Sequence, residues 1–255
     1  MKHSLWDIAI DLDKAAYFAK AIEQISKNQR INLFDSYEIQ MISVGQRLER
    51  GEKLTGYKMG FTSKAKKEQM GVDEVIWGRL TDSMQIENGG ILDFSKFIHP
   101  RAEPEIAYKI SKTIDKVLTH DNVTEYFDAV AGAIEIIDSR YENFKFSLED
   151  VIADNCSSSA YVIGDWHAAD TPVSDLGISL IINNKVVKEG NSKAILGNPV
   201  ESLIEMSKMA YKYDVTIEKG YIVLAGAVTS AEFINKGDTV QAVIDTLSTV
   251  QLNVK

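Results

Sequence analysis

The stretch that decides the fold is an apolar run with one acid inside it, Ala131-Gly132-Ala133-Ile134-Glu135-Ile136-Ile137. A short apolar run without polar alternation is typical of a β-strand that is buried on both faces. The sequence therefore predicts an interior strand, and it places the carboxyl group of Glu135 inside the protein with that strand.

Further short apolar runs follow Gly51, and they are separated by Gly, Asn and Asp. Such runs predict strands, here over 54–60, 105–110, 131–137, 160–163, 178–182, 221–224, 240–244 and 250–254. Asn183-Asn184 joins one of these runs to Lys185-Val186-Val187, and Asn tolerates the positive φ of a tight hairpin turn. We therefore predict antiparallel pairing at that hairpin.

Helical periodicity is confined to a few stretches. It predicts one helix over 12–28, a second that begins after the N-cap pair Asp35-Ser36 and ends before Gly51, and a third over 198–213 that Pro199 opens. We therefore predict an α+β protein with a mixed, mostly β body. The predicted division is a helical N-terminal subdomain, 1–52, and a catalytic domain, 53–255.

The composition argues against several classes of partner. The 255 residues include 28 Lys and Arg against 37 Asp and Glu, which gives a formal net charge of -9. This negative charge argues against binding to nucleic acid or anionic lipid. No apolar run approaches the ~18 residues that cross a bilayer, and a single cysteine, Cys156, cannot form an internal disulfide. Because the N-terminus has no signal-peptide pattern, we predict a cytoplasmic protein that binds neither nucleic acid nor membrane.

A pair of glutamates in Pro100-Arg101-Ala102-Glu103-Pro104-Glu105-Ile106 is the first candidate for chemistry. Residues two apart on a strand share a face, so Glu103 and Glu105 point the same way. Two carboxylates this close repel each other unless a cation lies between them or one of them is protonated. Pro104 cannot donate to a strand ladder, which predicts an edge strand or a bulge beside a cavity. A solvated strand face with two ordinary glutamates is the alternative.

Glu135 adds a third carboxylate to this pair. A buried carboxylate costs several kcal/mol unless it is paired or bound to a metal ion, so Glu135 needs a partner. An ion pair with Arg101 or Arg140 is one candidate. Three carboxylates without a cluster of His or Cys favour a hard, oxygen-loving ion, Mg²⁺ or Mn²⁺, over zinc. We therefore predict a metal site formed by Glu103, Glu105 and Glu135.

A lysine and two polar loops complete the candidate site. Lys58 lies in the apolar run Gly56-Tyr57-Lys58-Met59-Gly60, where burial beside a metal ion would lower its pKa toward the range used in proton transfer. A surface lysine that extends to solvent is the alternative. Loops 152–159 and 225–230 offer hydroxyl and backbone N–H groups to a carboxylate, although ordinary turns favour the same residue types.

Several of these motifs together resemble the hydratase/decarboxylase branch of the fumarylacetoacetate hydrolase superfamily, over nearly the whole chain. The motifs are Gly56-Tyr57-Lys58-Met59-Gly60, Gly71-Val72-Asp73-Glu74, residues 100–107, Glu135-Ile136-Ile137-Asp138-Ser139-Arg140-Tyr141 and Ala153-Asp154-Asn155. The resemblance implies a mixed, mostly β body rolled around a helix, preceded by a small helical part. This agrees with the fold class that the apolar runs predict.

The resemblance also implies roles for individual residues. It implies metal ligands at Glu103, Glu105 and Glu135, a general acid/base at Lys58, and substrate contacts at Ser157, Ile76, Gly226 and Thr229. Ser158 and Ser159 remain alternatives to Ser157, because the three serines are consecutive. Hydratases of this branch usually carry an aspartate where this chain has Ile76, and a hydrophobic residue there resembles the decarboxylases.

The implied activity is the Mg²⁺- or Mn²⁺-dependent decarboxylation of 2-oxo-3-hexenedioate, a small 2-oxo dicarboxylate, to 2-hydroxypenta-2,4-dienoate in catechol meta-cleavage. Hydration of 2-hydroxypenta-2,4-dienoate is the alternative activity. A scaffold subunit for a sibling hydratase is a third reading, although an intact set of acids argues against a purely structural role. The resemblance further implies a homo-oligomer and a complex with that hydratase.

Overall fold

The computed structural model describes residues 3–63 and 74–255, so Gly71-Val72-Asp73 of the family motifs lie outside the described residues. The described helices are α1 (Leu5–Tyr17), α2 (Ile25–Asn28), α3 (Leu33–Glu49), α4 (Leu148–Ala153) and α5 (Glu201–Lys212). The strands are β1 (Leu54–Gly60), β2 (Ile76–Thr81), β3 (Gln85–Ile86), β4 (Ile91–Leu92), β5 (Arg101–Ile110), β6 (Phe127–Ile137), β7 (Ser158–Ile163), β8 (His167–Ala168), β9 (Gly177–Ile182), β10 (Lys185–Asn191), β11 (Ile222–Leu224), β12 (Glu232–Phe233), β13 (Thr239–Ile244) and β14 (Val250–Val254).

The larger sheet has nine strands in the order β2-β1-β11-β5-β6-β7-β3, with β12 paired to β5 and β8 paired to β6. Its two end strands, β2 and β3, are consecutive in the chain and are separated only by the short turn Asp82–Met84. So short a connection can join opposite ends of a sheet only if the sheet curls until its edges approach each other. Tyr161 on β7 hydrogen-bonds Thr55 on β1 across this curl, at 3.1 Å between the two hydroxyl oxygens.

The concave face of the curled sheet carries a small apolar core of its own. Side chains from β2, β11, β5, β6, β7 and the turn Asp82–Met84 meet there, and the three from the central strands β5 and β6 are alanines: Leu80, Met84, Ala107, Ala131, Ala133, Tyr161, Ile163 and Leu224. Small side chains let the two ends of the sheet approach at the centre of the curl. The apolar side chains of the end strands therefore pack directly against the alanines of β5 and β6.

The other face of this sheet packs against a five-stranded sheet, β10-β9-β13-β14-β4, and against α5. Leu203 and Met206 of α5 are fully buried in the same core as Ile134 of β6 and Leu180 of β9. The predicted fold class, a mixed and mostly β body with a helix in its core, is confirmed. Among the described residues, no helix has both the length and the apolar character needed to cross a membrane.

The predicted strands are confirmed. Each predicted range lies within an observed strand, except that β11 begins one residue later than predicted, at Ile222. Asn183 and Asn184 have φ values of 52° and 62° and join β9 to β10 as an antiparallel hairpin. The sequence prediction missed β2 and the two-residue strands, because these are too short or too mixed in composition to show a clear apolar run.

The predicted helix boundaries need correction. The helix expected over 12–28 instead spans Leu5–Tyr17, because Ser4 forms a capping box with Asp7 and the chain turns at Ala19, whose φ is 49°. The second helix begins at Leu33, one turn earlier than the pair Asp35-Ser36 suggested. Its N-cap is Asn32, and Asp35 closes the capping box from inside the helix.

The N-terminal helices pack against the part of the body that lies behind the candidate site. Ile8, Leu12 and Ile39 share a buried cluster with Tyr141 and Ala153. Gln40 of α3 is fully buried and donates from Nε2 to the carbonyl oxygens of Trp77, at 3.1 Å, and Ile152, at 2.9 Å. The helices therefore hold β2 and α4 in a fixed relation to each other.

Candidate metal centre

Three carboxylates meet on the concave face because of the register of two neighbouring strands. Glu103 of β5 lies directly opposite Glu135 of β6, and Glu105 lies two residues farther along β5, on the same face. One carboxylate oxygen from each residue lies within 4.8 Å of the others, and all three residues are buried. The structure thus brings together the three acids that the sequence singled out, and the solvated-face alternative is wrong.

Pro104, between two of these acids, is not on an edge strand as predicted. Its strand, β5, lies between β6 and β11 inside the sheet. Pro104 is tolerated because β11 ends at Leu224 and the chain then turns away before β12 begins at Glu232, which leaves no strand to require the missing N–H. The carbonyl oxygen of Pro104 accepts from the backbone N–H of Val228 in this connection, at 3.0 Å.

Lys58 of β1 is the partner of Glu135. Its Nζ lies 2.8 Å from Glu135 Oε2, and both side chains are buried. Two strands, β11 and β5, lie between them, so a flat sheet would separate their backbones by roughly 14 Å. The contact is possible because the sheet curls. The alternatives that made Lys58 a surface residue and paired Glu135 with Arg101 or Arg140 are wrong, since Arg140 pairs with Asp154.

The electrostatics of the cluster reflect burial and crowding. Burial raises the pKa of Glu105 well above its usual value, and Glu135 and Glu103 raise it further. Burial also raises the pKa of Glu135, although Lys58 opposes this. For Lys58, burial alone would lower the pKa, but Glu135, Glu103 and Glu105 outweigh it and raise the pKa. The pKa of Lys58 is thus raised, and the predicted lowering would require a divalent cation that offsets the charge of the three acids.

The cluster suits a hard cation. Oε1 of Glu105 is buried and has no hydrogen-bond partner among the described residues. A buried carboxylate oxygen left without a partner is costly, and the neighbours of Glu105 in the cluster, Glu103 and Glu135, are carboxylates as well. Oxygen ligands alone, with neither His nor Cys, match Mg²⁺ or Mn²⁺. A divalent ion would satisfy Glu105 and relieve the repulsion among the three acids.

A left-handed turn before β7 supplies the next contacts. Asn155, Cys156 and Ser157 have φ values of 50°, 53° and 58°, a run of a conformation that few residues other than glycine adopt. The Asn155 side chain holds the turn against β2, because it accepts from the N–H of Arg79 at 2.7 Å and donates to its carbonyl at 2.9 Å. The turn places the Cys156 carbonyl 3.4 Å from Lys58 Nζ.

The consecutive serines point in different directions. Ser158 donates from its hydroxyl to Glu135 Oε1 at 2.8 Å. The Ser157 hydroxyl lies 3.4 Å from Asp154 Oδ2, and Ser159 accepts from Arg140 at 2.7 Å. Of the three hydroxyls, that of Ser158 therefore contacts the acid cluster directly. Consecutive residues of one type carry no pattern that could have distinguished them in the sequence.

The remaining predicted residues lie on two sides of the cluster. Ile76 of β2 is buried and shares the face of Lys58, since it lies opposite Gly60, two residues along β1. Gly226 donates its N–H to Glu105 Oε2 at 2.8 Å. Thr229 is half-buried, packs against Gly190 of β10 and donates to the carbonyl of Ser230. The structure brings Gly226 to the acids, whereas no described contact joins Thr229 to them.

Gly226 occupies a position where both the backbone conformation and the space available require glycine. Its φ is 112°, and a Cβ there would lie 2.2 Å from Thr62 Oγ1. We expect Gly226→Ala to shift the N–H away from Glu105, to lower the thermal midpoint and to weaken Mg²⁺ binding about tenfold or more. Calorimetric titration with Mg²⁺ measures the affinity. Thr62→Ala in the same chain removes the nearest atom and should restore part of the loss; equal Mg²⁺ affinity in Gly226→Ala and the unaltered protein would contradict the assignment.

The raised carboxyl pKa values predict a pH dependence of stability. Burial raises the pKa of Asp154 to about 6 despite its Arg140 partner, and Glu105 and Glu135 are raised as well. An acid whose pKa is raised by folding stabilises the fold when protonated and loses that contribution as the pH rises through the folded pKa. We therefore expect the thermal midpoint of the metal-free protein to fall as the pH is raised from about 5 to about 8. Mg²⁺ should reduce this fall, and a midpoint that rises over the range would contradict the prediction.

Comparison with known proteins agrees with this geometry. A family model described as fumarylacetoacetate (FAA) hydrolase C-terminal matches residues 55–255. The chain is 43% identical over 246 residues to a 4-oxalocrotonate decarboxylase of Pseudomonas sp, covering 96% of each. It is 29% identical to a 2-keto-4-pentenoate hydratase of Paraburkholderia xenovorans (strain LB400), covering 87% of this chain and 83% of that protein.

A solved structure is also similar over nearly its full length. It is 4-oxalocrotonate decarboxylase from Pseudomonas putida G7, complexed with magnesium and adipate, and it matches with a TM-score of 0.95 at 30% identity, covering 98% of this chain and 97% of that one. The buried acids, the curled sheet and these matches lead to one conclusion: the chain belongs to the fumarylacetoacetate hydrolase family.

Proposed function

We propose that this protein decarboxylates 2-oxo-3-hexenedioate (4-oxalocrotonate) to 2-hydroxypenta-2,4-dienoate with the help of Mg²⁺ or Mn²⁺. The observation that carries the proposal is the buried contact between Lys58 and the three-acid cluster on one concave face. The decarboxylase at 43% identity and the hydratase at 29% identity both support a metal-dependent lyase. The higher identity and the hydrophobic Ile76 favour decarboxylation.

Glu103, Glu105 and Glu135 would hold the ion. When bound, Mg²⁺ supplies a Lewis acid that polarises the 2-oxo group and the adjoining carboxylate of the substrate. Ser158 and Gly226 each donate a hydrogen bond to one of these glutamates. They orient the carboxylates, and Glu105 Oε1, which has no hydrogen-bond partner among the described residues, would be available to the ion. Gly226 thus acts on the substrate through Glu105.

Lys58 is positioned to donate the proton that the reaction requires. The electron pair of the bond to the departing carboxylate moves through the double bond to the 2-oxo oxygen, and CO₂ leaves. One proton must then reach that oxygen to give the neutral dienol. Lys58 is a buried ammonium in direct contact with Glu135, and it would donate this proton and recover it from solvent. The Cys156 carbonyl helps to hold Nζ in place.

Ile76 favours decarboxylation over hydration. A polar residue at this position could orient a water molecule for addition, whereas an apolar residue offers a water molecule no hydrogen-bond partner. Ile76 is buried on the Lys58 face, which suits loss of CO₂. We retain Ser157 and Thr229 as proposed contacts of the substrate carboxylate oxygens.

The test is to incubate the Mg²⁺-loaded protein separately with 2-oxo-3-hexenedioate and with 2-hydroxypenta-2,4-dienoate. Release of CO₂ from the first, with no consumption of the second, is the expected result. Formation of 4-hydroxy-2-oxopentanoate from the second without CO₂ release from the first would identify the hydratase instead. Turnover of neither substrate would favour the scaffold role.

We further propose a cytoplasmic homo-oligomer that associates with a sibling hydratase, with 1–52 as a helical subdomain. Exposed aromatic residues on and after the first helix, Trp6, Tyr17 and Phe18, support an assembly surface. The contacts of Gln40 with Trp77 and Ile152 suggest that the subdomain also supports the strand and helix behind the site. Sedimentation of the protein alone and mixed with the hydratase tests both associations.

A further inference from the structure

Arg101 places a positive charge on the same strand face as the acids. It is the first residue of β5, two residues before Glu103 and four before Glu105. Since side chains two apart on a strand share a face, Arg101 follows the two glutamates in one row. It lies at the end of the row where β12 pairs with β5.

The Arg101 guanidinium lies over two aromatic rings. Its central carbon lies 3.9 Å from the ring centroid of Phe144 and 4.0 Å from that of Phe233. Phe144 has a φ of 56° and follows Asn143, whose φ is 59°. A bulky residue in this conformation is strained. The contact between the Phe144 ring and Arg101 is therefore formed at a cost in backbone conformational energy.

The guanidinium is partly buried and forms no ion pair at contact distance with any described carboxylate, although Glu232 and Glu103 are close enough to act on it electrostatically. Its Nε is buried and makes no hydrogen bond. The nearby carboxylate of Glu232 pairs instead with Lys188, at 3.2 Å. A partly buried cation without a counter-ion in contact is costly, and stacking on the rings offsets only part of that cost. An arginine fork that two aromatic rings hold in place is suited to bind a carboxylate through two parallel hydrogen bonds.

We propose that Arg101 binds the far carboxylate of a dicarboxylate whose 2-oxo acid end lies at the three glutamates. The inference rests on the proposed function and adds a second anchor for its substrate. Two residues along a strand span roughly 6.8 Å. The carboxyl carbons of an extended six-carbon diacid lie roughly 6 Å apart, from five C–C bonds. The row from Glu103 to Arg101 therefore matches a chain of this length.

This role has a distinctive kinetic signature. The far carboxylate is the group that leaves as CO₂, so its negative charge moves away from Arg101 as the transition state forms. Arg101 then stabilises the bound substrate more than the transition state. Loss of the side chain should raise KM and leave kcat unchanged or higher. A residue with only a structural role would lower kcat or the amount of folded protein instead.

The experiment compares two probes that differ only in the far carboxylate. Calorimetric titration of the Mg²⁺-loaded protein with 2-oxoadipate and with 2-oxohexanoate should show a preference for 2-oxoadipate of roughly tenfold to a hundredfold. Arg101→Met, which fills the space over the rings without charge, should bind both probes alike and bind 2-oxohexanoate as the unaltered protein does. Arg101→Lys, which keeps the charge without the fork, should retain part of the preference.

Lys112→Met is the matched control, because Lys112 is an exposed lysine paired with Glu125. It removes one positive charge away from the acids and should leave the preference intact. A preference that persists in Arg101→Met, or that is missing from the unaltered protein, would overturn the inference while the proposed function stands. If the unaltered protein binds neither 2-oxo acid in the presence of Mg²⁺, the proposed function fails and the inference fails with it.

Discussion

Replacing Glu105 with Gln is expected to lower kcat by about a thousandfold or more, while the protein folds as before. The amide has the shape of the carboxylate and can still accept from the Gly226 N–H through its oxygen. It removes one of three crowded negative charges, so the metal-free variant should unfold at the same temperature as the unaltered protein or at a higher one. What the variant loses is the charge that attracts the ion.

Two measurements separate these effects. Steady-state decarboxylation with added Mg²⁺ gives kcat, and thermal unfolding with and without Mg²⁺ reports whether the ion still binds. We expect the Mg²⁺-induced rise in the thermal midpoint to disappear. Glu125→Gln is the matched control, because Glu125 is an exposed glutamate paired with Lys112, and it should behave like the unaltered protein. A Glu105→Gln variant that turns over and resists EDTA would contradict the assignment.

Replacing Lys58 with Met is expected to lower kcat by about a hundredfold to ten-thousandfold with a much smaller change in KM. The methionine keeps the apolar part of the side chain but cannot donate a proton. Without Lys58, Glu135 loses its 2.8 Å partner. Breaking a buried ion pair in this way costs about 3–5 kcal/mol, so the metal-free variant should be less stable than the unaltered protein.

The stability effect provides an internal check on this prediction. Because Mg²⁺ can take over as the counter-ion of Glu135, its addition should raise the thermal midpoint of Lys58→Met by more than that of the unaltered protein. Lys208→Met, which alters an exposed lysine paired with Glu205, should change neither kcat nor this response. An unchanged kcat in Lys58→Met would remove the lysine from the mechanism.

Much of the body was predictable because apolar runs report burial directly. The strands β5, β6 and β7 were visible as such runs, and the positions of Glu103 and Glu105 on one face followed from the two-residue period. The need of Glu135 for a partner followed from its burial alone. Strand position, the face that a side chain occupies and its burial are properties of a single strand, so local sequence patterns are enough to predict them.

The rest depended on how the strands come together. No local sequence pattern predicts the contact between Lys58 and Glu135, because two strands separate them in the sheet and only the curl of the sheet brings them together. The end of α1 at Tyr17 was missed because apolar spacing continues past it, although the chain turns at Ala19. The turn at Asn155 looked like an ordinary loop, and its contact with Arg79 joins residues 76 positions apart.

The direct pairing of Glu103 with Glu135 has a consequence for how such a protein can change. Two of the three acids face each other across one strand ladder, and the third is one step along it. The three acids that would hold the ion are thus part of the sheet itself, whereas Ile76 and the turn at 155–157 approach them from β2 and from the chain before β7. Substitutions in those surrounding segments can alter which molecule is accepted and what becomes of it without rebuilding the set of acids. One scaffold can in this way give rise to enzymes that release carbon dioxide and enzymes that add water.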